Sequence, residues 1–187
     1  MRIIGIDYSL SSPCVCVSES DRFDFSSCRF YYLTAREKFD RDVGNIQGDL
    51  FDQYNSSEQR YFNITDWVLT KLREGDIVYI EGYSLGSTGM VFNIAENAGL
   101  LKHYLWKENY EYHVVAPTVI KKFATGKGNA NKEKLQEHFI EETGVDVKKM
   151  LDMTEKQWNP SSDIIDAYYI CKYGHHQENE NEHLAND

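Results

Sequence analysis

No stretch of the 187-residue chain approaches the roughly 20 consecutive apolar residues that a membrane-spanning helix needs. The amino-terminal segment Met1-Arg2-Ile3-Ile4-Gly5-Ile6-Asp7 reaches an acid after only a few apolar positions, so it does not read as a secretory signal. The four cysteines, Cys14, Cys16, Cys28 and Cys171, form no CxxC pair and no zinc-spaced cluster with the histidines. Reduced, mostly buried thiols in a reducing, cytoplasmic interior are therefore expected, and a secreted disulfide scaffold is excluded. A phosphate loop of the GxxxxGK(S/T) kind is also missing. Beyond Lys172 there is no Lys or Arg, only the acids Glu178, Glu180, Glu182 and Asp187.

The residues present suit one globular domain. Aromatic residues make up 13% of the chain, too many for a disordered one. A chain of this length buries about 70% of its unfolded surface. The formal net charge of −10, from 20 basic and 30 acidic residues, argues against a protein that coats nucleic acid by charge alone. That charge is unevenly spread. Between residues 118 and 134, Lys121, Lys122, Lys127, Lys132 and Lys134 face the single acid Glu133, a local surplus of four positive charges. An acidic body with one basic strip can still hold DNA through the strip.

Hydrophobic patterning predicts strands over residues 2–8, 14–18 and 29–34, read as an antiparallel meander, and a polar loop over 40–56. A helix follows at 57–72, then a strand at 76–81, a Gly/Ser-rich stretch at 82–89 and a helix at 90–107. The strand 111–115 precedes helices at 117–123 and 132–142, an irregular segment at 144–160 and a last helix ending near Tyr173. Strands first, then strands alternating with helices, indicate an α/β protein: one mixed five-stranded sheet flanked by helices. Residues 1–173 are expected to form a single domain, and 174–187, with His175 and His176 at its start, a frayed polar tail.

Two acids stand out by position. Asp7 and Glu81 each close a hydrophobic strand and precede turn-prone residues. If those strands are parallel neighbours, both carboxylates emerge at one end of the sheet, where open α/β sheets bind ligands. Asp163 and Asp166, three apart, share a helix face, while Ile164, Ile165 and Tyr169 can pack its other sides. Four converging carboxylates repel one another unless cations share them, and hard oxygen donors suit Mg²⁺ or Mn²⁺. Two such ions could clamp a phosphodiester for in-line attack by water. In the basic strip, Gly126 and Gly128 allow close approach to a phosphate, and Asn129 or Asn131 could cap the following helix.

Together these segments resemble the RuvC-type Holliday junction resolvases of the RNase H-like superfamily. Ile4-Gly5-Ile6-Asp7 with Ser9, Ile80-Glu81-Gly82-Tyr83, the strip from Lys121 to Lys132, and Asp163-Ile164-Ile165-Asp166-Ala167 occur in the family's order over residues 2–173. The small size and Tyr-rich sequence are similar to phage-encoded members, which would place the protein in the host cytoplasm. The resemblance implies an RNase H-like fold and a metal-dependent endonuclease that resolves four-way junctions and other branched DNA, leaving 5′-phosphate nicks. It implies Asp7, Glu81, Asp163 and Asp166 as ligands for two Mg²⁺ ions, with Mn²⁺ as a substitute. Lys132 would stabilise charge near the scissile phosphate, Lys121, Lys122 and Lys127 would bind DNA, and Tyr83 would stack on an unpaired base. A homodimer is implied because a near-symmetric junction needs two symmetric cuts.

The sequence also departs from the family. Tyr8-Ser9-Leu10-Ser11 stands where cellular members carry Pro-Gly-Ser, residues 39–56 have no evident counterpart, and the acidic net charge contrasts with basic cellular resolvases. Three other readings follow: a broader nuclease for branches or flaps, an RNase H-type enzyme cutting RNA–DNA hybrids, and a catalytically silent DNA-binding scaffold. An ATP-binding relative would need a glycine-rich loop where Tyr8-Ser9-Leu10 stands.

Overall fold

The structure, a computed structural model, describes residues 1–82 and 90–186. Its centre is a mixed sheet whose first three strands, β1 (Ile3–Asp7), β2 (Cys14–Ser18) and β3 (Cys28–Thr34), form the expected antiparallel meander. On the other side of β1, β6 (Ile77–Glu81) and then β7 (Glu111–Val115) add in parallel. Among the described residues the sheet has seven strands rather than five, because the expected polar loop instead forms β4 (Asp42–Val43) and β5 (Ile46–Leu50). Gly44, at φ 61°, makes the tight turn between them, and β5 runs parallel to β3. Gly48 passes so close to the chain that a Cβ there would lie 2.1 Å from the Phe39 carbonyl oxygen. With glycine at one inward position of a five-residue strand, the alternating apolar signal disappears from the sequence.

Period-two alternation divides the sheet between two layers. Ile4 and Ile6 of β1, with Val78 and Ile80 of β6, pack against α1 (Ser57–Leu69) and α2 (Val91–Lys107) through Ile64, Val68, Leu101 and Leu105. The opposite face, with Ile3, Cys16, Phe30 and Tyr79, is covered by α3 (Pro117–Thr125), α4 (Lys132–Thr143) and the long α6 (Ser161–Asn186). A short helix, α5 (Val147–Met150), caps the edge of this layer. All four cysteines are buried free thiols. No described helix is long and apolar enough to cross a membrane.

Gly5 decides how closely α6 approaches β1. A Cβ at Gly5 would sit 2.3 Å from the Cys171 backbone nitrogen and 2.6 Å from the Ala167 carbonyl oxygen. Lacking one, β1 lets the helix backbone rest directly on the sheet.

The last helix also corrects the expectation of a frayed tail from residue 174. It continues to Asn186 because Gly174 seats against the Tyr79 ring, which a Cβ would meet at 2.4 Å. Tyr79 donates its hydroxyl to Glu178 at 2.5 Å, and His175 Nε2 lies 3.2 Å from the Ser20 carbonyl oxygen. The polar composition of this stretch is that of a helix touching the sheet on one side and solvent on the other. Truncation after Tyr173 is expected to cost about 2 kcal/mol, since it deletes a hydrogen bond to a charged group. Calorimetry of the shortened chain would then show a melting temperature about 4–8 °C lower.

Candidate active site

The parallel pairing of β1 with β6 sets the site. Ile6 lies opposite Ile80, so Asp7 and Glu81, the next residues, leave the sheet side by side at the carboxyl ends of their strands. The seating of α6 on β1 brings Asp166 and Asp163 to the same end. Asp7, Glu81 and Asp166 line a cleft of about 560 Å³, and Asp163 lies behind them, 5% exposed. Ile164, Ile165 and Tyr169 bury the remaining faces of the helix, as their spacing predicts.

The basic strip supplies one wall. α3 begins at Pro117, two residues beyond β7, and Lys121 stands one helical turn later on the same face, so both line the cleft. Gly126, in the left-handed region at φ 75°, ends α3. Asn131 then caps α4 by accepting a 3.0 Å hydrogen bond from the Lys134 backbone N–H. This directs Lys132 into the cleft, where its ammonium lies 3.3 Å from Ser162 Oγ. Lys122 and Lys127 do not join it; both are exposed and lie outside the cleft lining. Tyr83 lies outside the described residues.

Electrostatics tie the four acids into one group. Burial raises the Asp7 carboxyl well above its ordinary value, and the charges of Asp163, Asp166 and Glu81 raise it further while Lys132 opposes them. Burial followed by the Asp166 charge pushes Glu81 up to about 7, against Lys121 and Lys132. Asp163 reaches about 7, chiefly from burial, with Ser12 lowering it and Asp166 raising it. Asp166 reaches about 6 from burial, moderated by Lys132 and Lys121. Cys14, opposite Asp7 in the sheet, is pushed up by burial and by the acids, so it is a neutral wall and not a nucleophile.

Two buried oxygens here, Asp163 Oδ2 and Ser12 Oγ, have no well-aligned hydrogen-bond partner among the described residues. Ser12 and Asp7 nonetheless lie near enough to Asp163 to lower its carboxyl, against the larger effect of burial. Among the described residues, no three Asp, Glu, His or Cys side chains stand close enough to enclose a metal ion as they are.

Sequence reasoning missed Arg60, which lines the cleft from α1. Its guanidinium donates to the Leu10 carbonyl oxygen at 2.6 Å and lies over the Tyr54 ring at 5.2 Å. An arginine on an amphipathic helix carries no sequence mark separating it from a solvated face. Ser12, within a serine-rich turn, and Asn159, in the irregular segment before α6, were equally unmarked.

No protein-family model matches the chain, and no curated protein matches it in sequence. Solved structures do resemble it. Thermus thermophilus RuvC matches over 91% of each chain, with a TM-score of 0.55 and 15% identity. The same protein in complex with a Holliday junction substrate matches over 91% of this chain and 90% of its own, with a TM-score of 0.54 and 15% identity. The chain thus shares the overall α/β fold of Thermus thermophilus RuvC, as the resemblance in sequence led one to expect.

Proposed function

We propose that this protein is a metal-dependent endonuclease that resolves four-way junctions and related branched DNA. One observation carries the reading. Four carboxylates converge at the carboxyl ends of two parallel strands, under a cleft walled by two lysines, in a fold shared with a protein seen bound to a Holliday junction.

Asp7, Glu81, Asp163 and Asp166 would hold Mg²⁺ or Mn²⁺, two ions per site. The donor set fits: all are hard oxygens, and buried Asp163 Oδ2 has no well-aligned partner among the described residues. Coordination also requires side-chain adjustment from the arrangement described. When bound, such ions supply an activated water and neutralise charge at the leaving 3′-oxygen, which gives 5′-phosphate nicks. The chain's own groups do the rest. Lys121 and Lys132 hold the scissile phosphate over the acids, and Lys132 meets the negative charge that grows there. Lys122 and Lys127, exposed outside the cleft, would contact a flanking DNA backbone. Arg60 closes the opposite wall. The exposed Phe92 and Trp106 of α2 suit a homodimer, as paired symmetric cuts require. Four buried thiols suit the cytoplasm.

The deciding experiment is cleavage of a synthetic four-way junction and of linear duplex, in Mg²⁺ or in EDTA, by the unmodified chain and by Asp7→Asn. Paired metal-dependent nicks in the junction, lost in the variant, are expected. Binding without cutting would leave a DNA-binding scaffold, and equal cutting of linear duplex would leave a nuclease without junction selectivity.

The two kinds of lysine should separate as well. Lys121→Ala and Lys132→Ala are expected to lower turnover about 10²-fold in single-turnover assays. Lys122→Ala and Lys127→Ala should leave turnover unchanged and reduce the salt dependence of DNA binding by about one ion each.

A further inference from the structure

We infer that Asn159 and Ser162 are positioning residues that lock the buried carboxylate Asp163 and the ammonium of Lys132 into one bracket; the inference rests on the metal-dependent reading above. Four polar groups run in a single donor direction. Lys132 Nζ donates to Ser162 Oγ at 3.3 Å, Ser162 Oγ donates to Asn159 Oδ1 at 3.5 Å, and Asn159 Nδ2 donates to Asp163 Oδ1 at 3.2 Å. Each donor is committed, so the amide of Asn159 can face Asp163 only with its N–H side. That favours the ionised carboxylate and fixes its rotation, holding the other oxygen, Oδ2, buried and, among the described residues, without a well-aligned hydrogen-bond partner.

Asn159 is itself held rigidly. The Ser162 N–H donates to the Trp158 carbonyl oxygen at 2.8 Å, and the Ile164 N–H to that of Pro160 at 3.0 Å, so the backbone on both sides of Asn159 is tied to the first turn of α6. Trp158 is clamped in turn by buried Lys148, whose ammonium lies 3.8 Å from its ring centroid and donates to the Glu155 carbonyl oxygen at 2.9 Å. A segment without regular structure thus has one well-defined product, the orientation of Asp163. Partners of this kind orient a ligating carboxylate, and losing one typically costs about 10–100-fold in metal affinity or activity.

The bracket makes its two ends separable. In Asn159→Ala the carboxylate loses its amide donor, and calorimetric titration with Mn²⁺ alone is expected to show about tenfold weaker binding. Cleavage should return at saturating metal, and the melting temperature in EDTA should move by no more than about 3 °C. In Ser162→Ala the tie to Lys132 is cut while the Asn159–Asp163 hydrogen bond stays, because an ionised carboxylate only accepts and so still faces the N–H side of the amide. Mn²⁺ affinity should then be unchanged and turnover at saturating metal should fall about tenfold. Equal Mn²⁺ affinity in Asn159→Ala and the unmodified chain would overturn the inference and spare the nuclease reading. An unmodified chain that takes up no Mn²⁺ would overturn both. Should Asn159→Ala fail to fold, Ser162→Ala decides, and unchanged turnover there overturns the bracket.

Discussion

Asp166→Asn is expected to raise the melting temperature of the metal-free protein by about 5 °C while abolishing cleavage. Burial pushes the Asp166 carboxyl from its ordinary range up to about 6, so folding penalises its ionised form. An upward shift of about two units corresponds to roughly 3 kcal/mol, and sharing among neighbouring acids leaves about half of it to one substitution. For a chain of this size, about 1.5 kcal/mol moves the melting temperature by about 3–6 °C. The sign of the pH dependence follows. A carboxyl with a raised folded-state value loses its proton first in the unfolded chain, so stability falls as pH rises from about 4, the unfolded value, through the folded values of about 6 to 7. Thermal melts in EDTA across that range should decline less steeply for Asp166→Asn. A variant that melts no higher than the unmodified chain would mean that the acids cost the fold nothing. The activity arm is independent: losing one of the four proposed ligands would remove several kcal/mol of transition-state stabilisation, about 10³-fold in rate.

Gly5→Ala should produce the largest combined loss. The added methyl group would meet the backbone of α6, not a side chain that can swing away, at 2.3 Å from Cys171 N and 2.6 Å from Ala167 O. Helix and strand must separate, at about 3 kcal/mol, the upper end of ordinary overpacking. The same separation carries Asp163 and Asp166 away from Asp7 and Glu81. Misplacement on the scale of 1 Å is worth about 10²-fold in rate, even at temperatures where the variant is fully folded. Gly174→Ala is the control. Its clash is with the Tyr79 ring, far along α6 from the acids, so it should lower the melting temperature and leave turnover intact. Equal turnover in Gly5→Ala and the unmodified chain would show that the seating of α6 does not set the site.

Several features were open to reading from the order of residues alone. Asp7 and Glu81 were visible because an acid ending an apolar strand breaks a local pattern. Asp163 and Asp166 were visible because an i, i+3 pair interrupts an otherwise apolar helix. The meander and the helices α1 to α4 followed from short-range periodicity. What the order of residues could not contain was distance. β5 escaped notice because Gly48 replaces a side chain with space for the Phe39 carbonyl. The end of α6 escaped because a polar helix looks like a tail until Tyr79 and Ser20 are placed beside it. Arg60, Ser12 and Asn159 acquire meaning only from what they face across the fold. The strip shows the division most clearly: its charge was readable in the sequence, yet one helical turn from Pro117 puts Lys121 in the cleft and Lys122 outside it. Sequence alone determined the chemical types and the local elements, because propensity and periodicity act between near neighbours. Tertiary structure alone decided which charges share a volume, because burial and Coulomb repulsion depend on separation in space.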